Sequence, residues 1–196
     1  MPKIVNHEEK KEQIAAATWR VILRGGMKGA TVRSIAKEAD ISLGALRHYF
    51  STQDELLAYA MQLVRERANA RIQAILSETL PPKTMVRRVL FEIVPLNEDT
   101  RAEMDVWLAY VFSLGRKADS LGVQQEIYSG IRKMIEYLDH RRLLREDLDK
   151  ELTAETLYSL VDGLAMHAFL EPRRLTKERT AAVLTSYLDS ICIEEA

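Results

Sequence analysis

The stretch Thr31–Phe50, TVRSIAKEADISLGALRHYF, decides how this chain of 196 residues is read. Val32, Ile35, Ala36 and Ala39 recur at i, i+3, i+4 and i+7, which lays one apolar stripe along a short helix. Asp40-Ile41-Ser42 interrupts that pattern. Thr31 and Ser42 each stand where a hydroxyl can accept a backbone N–H of the next turn, so each opens a helix. In the second helix Leu46 and Phe50 lie one turn apart and, with Ile41, can close over the stripe of the first. Leu43, Arg47 and His48 are left pointing outward. Two short helices, a tight turn and a packing seam backed by outward reading groups make the pattern of a helix-turn-helix whose second helix enters the DNA major groove.

From Ile14 to Leu57 the chain resembles the amino-terminal domain of the TetR family of bacterial transcriptional regulators. The resemblance rests on AAATWRVILRGGMKGATVRSIA, on ISLGALRHYF and on STQDELL, with many fixed spacings over about a quarter of the protein. It implies an all-α fold. A three-helix DNA-binding domain with the helix-turn-helix would occupy residues 1–51, and a larger helical effector-binding and dimerisation domain residues 52–196. It also implies contacts to double-stranded DNA from Thr31, Arg33, Ser42, Leu43, Gly44, Ala45, Arg47, His48, Tyr49 and Gln53. Arg33 matches a position that reaches a base edge in some relatives, where a bidentate bond to guanine would make it a reader; a phosphate contact is the alternative. Three positions depart from the family pattern. Asp40 replaces a left-handed glycine, a conformation Asp tolerates better than most residues. Arg47 replaces a phosphate-contacting tyrosine and Gln53 a phosphate-contacting lysine, so one basic contact is gained and one lost.

Composition fits this reading once charge is followed along the chain. The net charge is −1. Residues 1–50, however, hold nine Lys/Arg against five Asp/Glu, and the remainder nineteen against twenty-four. A basic head on an acidic body suits DNA contact at one end. No apolar run approaches the roughly 20 residues needed to cross a bilayer, and no signal peptide is recognisable. Cys192 is the sole cysteine, which excludes an internal disulfide and fits a reducing cytoplasm.

The rest of the chain reads as helix. Asn6 and Glu9 form a capping-box pair, Ile14, Ala17, Val21 and Ile22 supply a buried face, and Gly25, Gly26 and Gly29 end the first helix. Ser51 and Asp54 start a long helix running to about Leu80, stopped by Pro81-Pro82 and cast as the lever between head and body. Further helices are expected from Pro82 to Pro95, from Asn97 to Gly115, from about Leu121 to His140, from Thr153 to Leu170, and after Thr176. No stretch alternates with period two for long enough to be a strand.

Phe91, Met104, Trp107, Tyr110, Tyr128, Met134, Tyr158, Met166 and His167 are candidates to line a pocket for an apolar or cationic small molecule, an effector of unknown identity. Leu157, Val161, Gly163, Leu164, Val183, Leu184 and Leu188 are candidates for a homodimer interface. Their helices carry more apolar surface than one small core needs, and Gly163 mid-helix costs roughly 1 kcal/mol unless helices approach closely there. LYSLVDGLAMHAFLEP also resembles the carboxy-terminal helix of the choline-betaine regulator branch. Catalysis finds no support: His7, His48, His140, His167 and Cys192 lack metal-type spacing, and no phosphate loop or nucleophile motif occurs. The expectation is a dimeric repressor on a palindromic operator, with no cofactor and no membrane partner. Two rivals stay open. One is a constitutive regulator or activator without effector, separable by titrating metabolites. The other is a helical adaptor for another protein, separable by comparing capture from genomic DNA and from lysate.

Overall fold

The computed structural model of the chain describes residues 7–114 and 118–193. Among these are nine helices: α1 (His7–Gly29), α2 (Val32–Glu38), α3 (Leu43–Arg47), α4 (Gln53–Leu76), α5 (Pro82–Phe91), α6 (Glu98–Leu114), α7 (Ala118–His140), α8 (Lys150–Leu170) and α9 (Lys177–Ile191). The protein is all-α. The described residues hold no strand, only an isolated antiparallel bridge between Leu144 and Cys192 that ties the α7–α8 turn to the end of α9. The Asn6 capping pair lies outside the described residues.

The chain forms two compact units. The first comprises residues up to Arg67 together with Asp105–Leu114; the second comprises Ala68–Met104 and residues from Gly115 onward. Both α4 and α6 are therefore divided between units, and the first unit extends past residue 51 into α4.

In the first unit, Ile14, Ala17, Val21 and Ile22 of α1 are buried with Ile35, Ala36 and Ala39 of α2, Leu46 of α3, Phe50, and Leu56, Leu57 and Ala60 of α4. The apolar stripe of Thr31–Phe50 is thus the seam it was expected to be. Trp19 is buried too, with the Arg67 guanidinium stacked 4.3 Å above its ring. Helix α1 is broken at Gly26, whose backbone (φ 64°, ψ −174°) lies where only glycine is comfortable.

The second unit is ordered by side-chain caps and by packing. Asn97 Oδ1 accepts from Thr100 N at 2.9 Å, and Thr176 caps α9 from Arg179 N. Several boundaries differ from expectation: α5 ends at Phe91 rather than Pro95, α7 begins at Ala118 rather than Leu121, and α8 and α4 differ as follows. Helix α8 starts at Lys150, because Asp149 accepts from Leu152 N at 2.9 Å; the Thr153 hydroxyl instead donates back to Asp149 O at 2.6 Å, inside the first turn. Helix α4 ends at Leu76, four residues before the expected stop, where the Ser77 hydroxyl folds back onto Ala74 O at 2.7 Å. Arg71 is the polar centre of this unit. Its guanidinium donates to both carboxylate oxygens of Glu103 (2.8 and 2.7 Å) and to Glu92 (2.6 Å).

Candidate nucleic-acid interface

The recognition element is built by three local devices. Thr31 closes a capping box on α2: its hydroxyl accepts from Ser34 N at 3.1 Å, while Ser34 Oγ accepts from Thr31 N at 2.9 Å. Asp40 ends α2 in the left-handed region (φ 52°), and its turn is a Schellman motif: Ile41 N donates to Ala36 O and Asp40 N to Lys37 O. Ser42 then caps α3 by accepting from Ala45 N at 3.1 Å. The two helices are short, and their ends are held by side chains two or three residues away. Their relative placement is therefore set locally, then locked by burial of Leu46 and Phe50.

Two longer ties brace this element. Gln13 Nε2 donates to Ala39 O at 2.6 Å, fastening α1 to the end of α2. Arg20 and Arg24 of α1 both grip Glu38, and Arg20 first, then Arg24, hold its carboxyl below the usual range. Glu55 plays a matching part at α4: bonds from Ser51 N–H (2.5 Å) and its hydroxyl lower that carboxyl's pKa.

The ten residues expected to face DNA fall into three groups. Arg33, Arg47 and His48 are exposed and carry no ion pair or hydrogen bond to the side chain among the described residues. Leu43, Gly44, Ala45 and Tyr49 surround them at the surface, Gly44 exposed and the others half-buried. A Cβ on Gly44 would meet no other atom of the chain closer than Ser42 Oγ at 3.9 Å, so nothing within the chain demands glycine there. Thr31, Ser42 and Gln53 already have internal work. The two hydroxyls cap helices, and Gln53 Nε2 donates to Ala30 O at 3.2 Å, fastening the start of α4 to the link before α2.

The pocket candidates do not form one group. Tyr128 of α7 and Tyr158 of α8 meet edge-to-face, ring centroids 5.4 Å apart. Burial first, then Glu155 of α8, pushes the Tyr128 hydroxyl up, and Asp162 stands one turn beyond Tyr158 on α8. Burial pushes the Asp162 carboxyl above its ordinary range, against the opposing pull of the Tyr158 hydroxyl. Burial, then the Asp162 charge, raises Tyr158 to about 12. Glu155 and Asp162 carry no pattern by themselves in sequence; only the α7–α8 packing reveals them. Met134 is half-buried on α7. Met166 and His167 stand exposed on α8, with His167 Nδ1 3.0 Å from Glu171. Phe91 lies instead in an open groove of about 680 Å³ between α5 and α9. Met104 is buried in the second unit. Trp107 and Tyr110 belong to the first unit, where Trp107 Nε1 is buried without a hydrogen-bond partner among the described residues.

The dimer candidates are also redistributed. Leu157, Val161, Leu164, Leu184 and Leu188 are buried inside the subunit's own core, closed to a second chain. Surplus apolarity in α8 and α9 thus serves their packing on α7 and α5. Gly163 and Val183 remain half-exposed, and a Cβ on Gly163 would meet nothing within 4 Å. The exposed side of α8 runs through Leu152, Thr156, Ser159, Met166 and Leu170. Leu152 and Leu170 are large apolar side chains left exposed on that side.

A helix-turn-helix with an exposed cationic second helix, joined to an all-helical body, defines a DNA-binding regulator. Residues 14–60 match bacterial regulatory proteins of the tetR family, and residues 82–193 match the BetI-type transcriptional repressor carboxy-terminal domain. The chain belongs to the TetR family, with a BetI-type carboxy-terminal domain, and is a transcriptional regulator, not an enzyme. It is similar to the HTH-type transcriptional regulator PksA of Bacillus subtilis, 52% identical over all of this chain and 96% of the relative. It is 31% identical to the regulator BetI of Vibrio campbellii over 96% of this chain and 95% of that one. In fold it resembles a putative transcriptional regulator from Saccharomonospora viridis in complex with choline, with a TM-score of 0.78 and 22% identity over 96% of this chain and 100% of the other.

Proposed function

We propose that the protein is a ligand-responsive repressor that binds a palindromic operator as a homodimer and is released from it by a small organic cation. The DNA half of the reading rests on Arg33, Arg47 and His48, exposed and uncommitted on a braced helix-turn-helix. One head per subunit enters successive major grooves, with half-sites about 34–36 Å apart or a multiple of that. The open side of α8 around Gly163 is the dimer contact. The described helices include none long and apolar enough to cross a membrane, which agrees with a cytoplasmic repressor.

The ligand half is carried by one observation: two edge-packed tyrosines with Glu155 and Asp162 of α8 as neighbouring carboxylates. Aromatic rings attract cations through their quadrupoles, and a half-buried carboxylate supplies the counter-charge. Asp162, whose charge is disfavoured by burial, gains most from a cation beside it. The choline complex of the Saccharomonospora viridis regulator agrees with this class. A ligand can lower operator affinity only by binding the non-DNA state more tightly, typically by about 1–3 kcal/mol.

The test is calorimetric titration with choline and tetramethylammonium, with and without the duplex that the protein selects from random DNA. Binding is expected, weakened by the duplex, and lost in Asp162→Asn. Response to neutral or anionic molecules but to no organic cation overturns the ligand class. Equal cation affinity with and without duplex overturns the switch.

A further inference from the structure

The first unit contains a contact that the helix-turn-helix pattern does not require. The Met27 amide donates to Asp105 Oδ2 at 2.5 Å. Met27 follows Gly26, whose left-handed backbone breaks α1, and Asp105 lies on α6, 78 positions further along. The fit is tight: a Cβ on residue 26 would lie 2.7 Å from that same Oδ2. Gly26 is thus required twice, by its dihedral angles and by the carboxylate lodged against it.

From Met27 a continuous set of bonds leads to the DNA-facing residues. Ala30 N donates to Met27 O at 3.2 Å and Thr31 N to Gly29 O at 3.1 Å. Ser34 Oγ donates to Gly29 O at 2.8 Å and completes the Thr31 capping box. Gln53 Nε2 donates to Ala30 O at 3.2 Å. The link from Gly26 to Thr31 is therefore held at one end by Asp105 and at the other by the caps of α2 and α4. Arg33 stands two residues beyond it. Met27 is itself buried, so without Asp105 its N–H has no water to turn to.

We propose that Asp105 is a positioning residue for DNA binding: its carboxylate fixes the broken end of α1, and through the Gly26–Thr31 link sets where α2 presents Arg33. Asp105 touches no DNA in this scheme. It acts through the Met27 amide, and the helix that carries it begins among residues of the second unit. The inference rests on the DNA-binding assignment and is independent of any effector.

The experiment measures fluorescence anisotropy of the duplex that the wild-type chain selects from random DNA, using full-length variants checked by circular dichroism and sedimentation. Asp105→Ala is expected to weaken the selected duplex at least tenfold with helicity and oligomeric state unchanged. Asp105→Asn keeps an acceptor oxygen and is expected to recover most of the affinity, whereas Asp105→Leu, which fills the space without an acceptor, is not. Gly26→Ala is expected to weaken binding as well. Adding Asp105→Ala to it should cost less than the two single losses multiplied, because the Cβ–carboxylate clash is gone. Binding of Asp105→Ala within twofold of wild type overturns the proposal. Should Asp105→Ala not fold, Gly26→Ala decides, and binding of Gly26→Ala within twofold of wild type overturns the proposal. A wild-type chain that selects no sequence refutes the DNA reading itself, a different outcome from a selected duplex that ignores Asp105.

Discussion

Arg33, Arg47 and His48 of the head stand exposed and unpaired among the described residues, whereas Arg71, Glu92 and Glu103 of the body are largely buried and matched. Arg33, Arg47 and His48 protrude from helices of seven and five residues whose ends are capped by their own neighbours. In the body, Arg71 is clasped by Glu103 and Glu92, and Tyr128 and Tyr158 lie beside Glu155 and Asp162 on helices of more than twenty residues. The partners proposed for the two regions account for the difference. DNA is a rigid polyanion that supplies its own charge, so the protein needs free donors on a stiff, locally determined frame. A signal must shift an equilibrium, and half-buried charges with alternative partners are sensitive to what enters beside them. Local capping makes stiffness; long-range pairing makes responsiveness.

The sharpest way to break this comparison is at Arg71. Glu103 first, then Glu92, hold its guanidinium well above the ordinary value, and Glu103 is nearly inaccessible. Arg71→Ala strands the Glu103 carboxylate, and a loss of about 3–5 kcal/mol of stability is expected by chemical denaturation. The exposed Arg20–Glu38 pair in the head, probed by Arg20→Ala, should cost far less. Equal losses would erase the distinction.

Gly163→Leu tests the open side of α8. Among the described residues, nothing beyond the local helix backbone lies within 4 Å of an added Cβ, so the subunit itself should fold normally. If a second copy packs there, sedimentation should show monomers, and operator affinity should fall by about 10²-fold because two linked heads bind far better than one. An intact dimer would move the interface elsewhere.

Arg33→Ala sharpens the head's side. A base-reading role predicts a loss of about 1–3 kcal/mol on the selected sequence and relaxed preference at one position. A phosphate contact predicts equal weakening on all sequences and a salt slope smaller by about one.

Acid titration gives the smallest effects, of opposite sign in the two regions. Glu38 is lowered below 4.5 by Arg20 and Arg24, so its contribution is complete above that value and is lost as pH falls through the folded pKa. Glu38→Gln should flatten that acid limb. Asp162 is raised above 3.8 by burial, so the body loses stability as pH rises from there through the folded pKa. Asp162→Asn should therefore melt at or above the wild-type temperature at pH 7, while losing any cation response.

The amino-acid sequence by itself determined the helix-turn-helix, because every device that builds it is local. The caps at Thr31 and Ser42, the left-handed Asp40 and the stripe closed by Leu46 all act within 20 residues and leave a readable period. The cap at Thr176 was legible for the same reason. Tertiary structure alone decided how the apolar stripes of α8 and α9 are spent. Leu157, Val161 and Leu184 look alike whether a neighbouring helix or a second chain buries them, and the fold gives them to the neighbour. It also decided the partners that sequence distance hides: Asp105 under Gly26, Asp162 against Tyr158 beside Tyr128, and Arg71 between Glu92 and Glu103. Periodicity reports that a side chain faces inward; only packing assigns what it meets there.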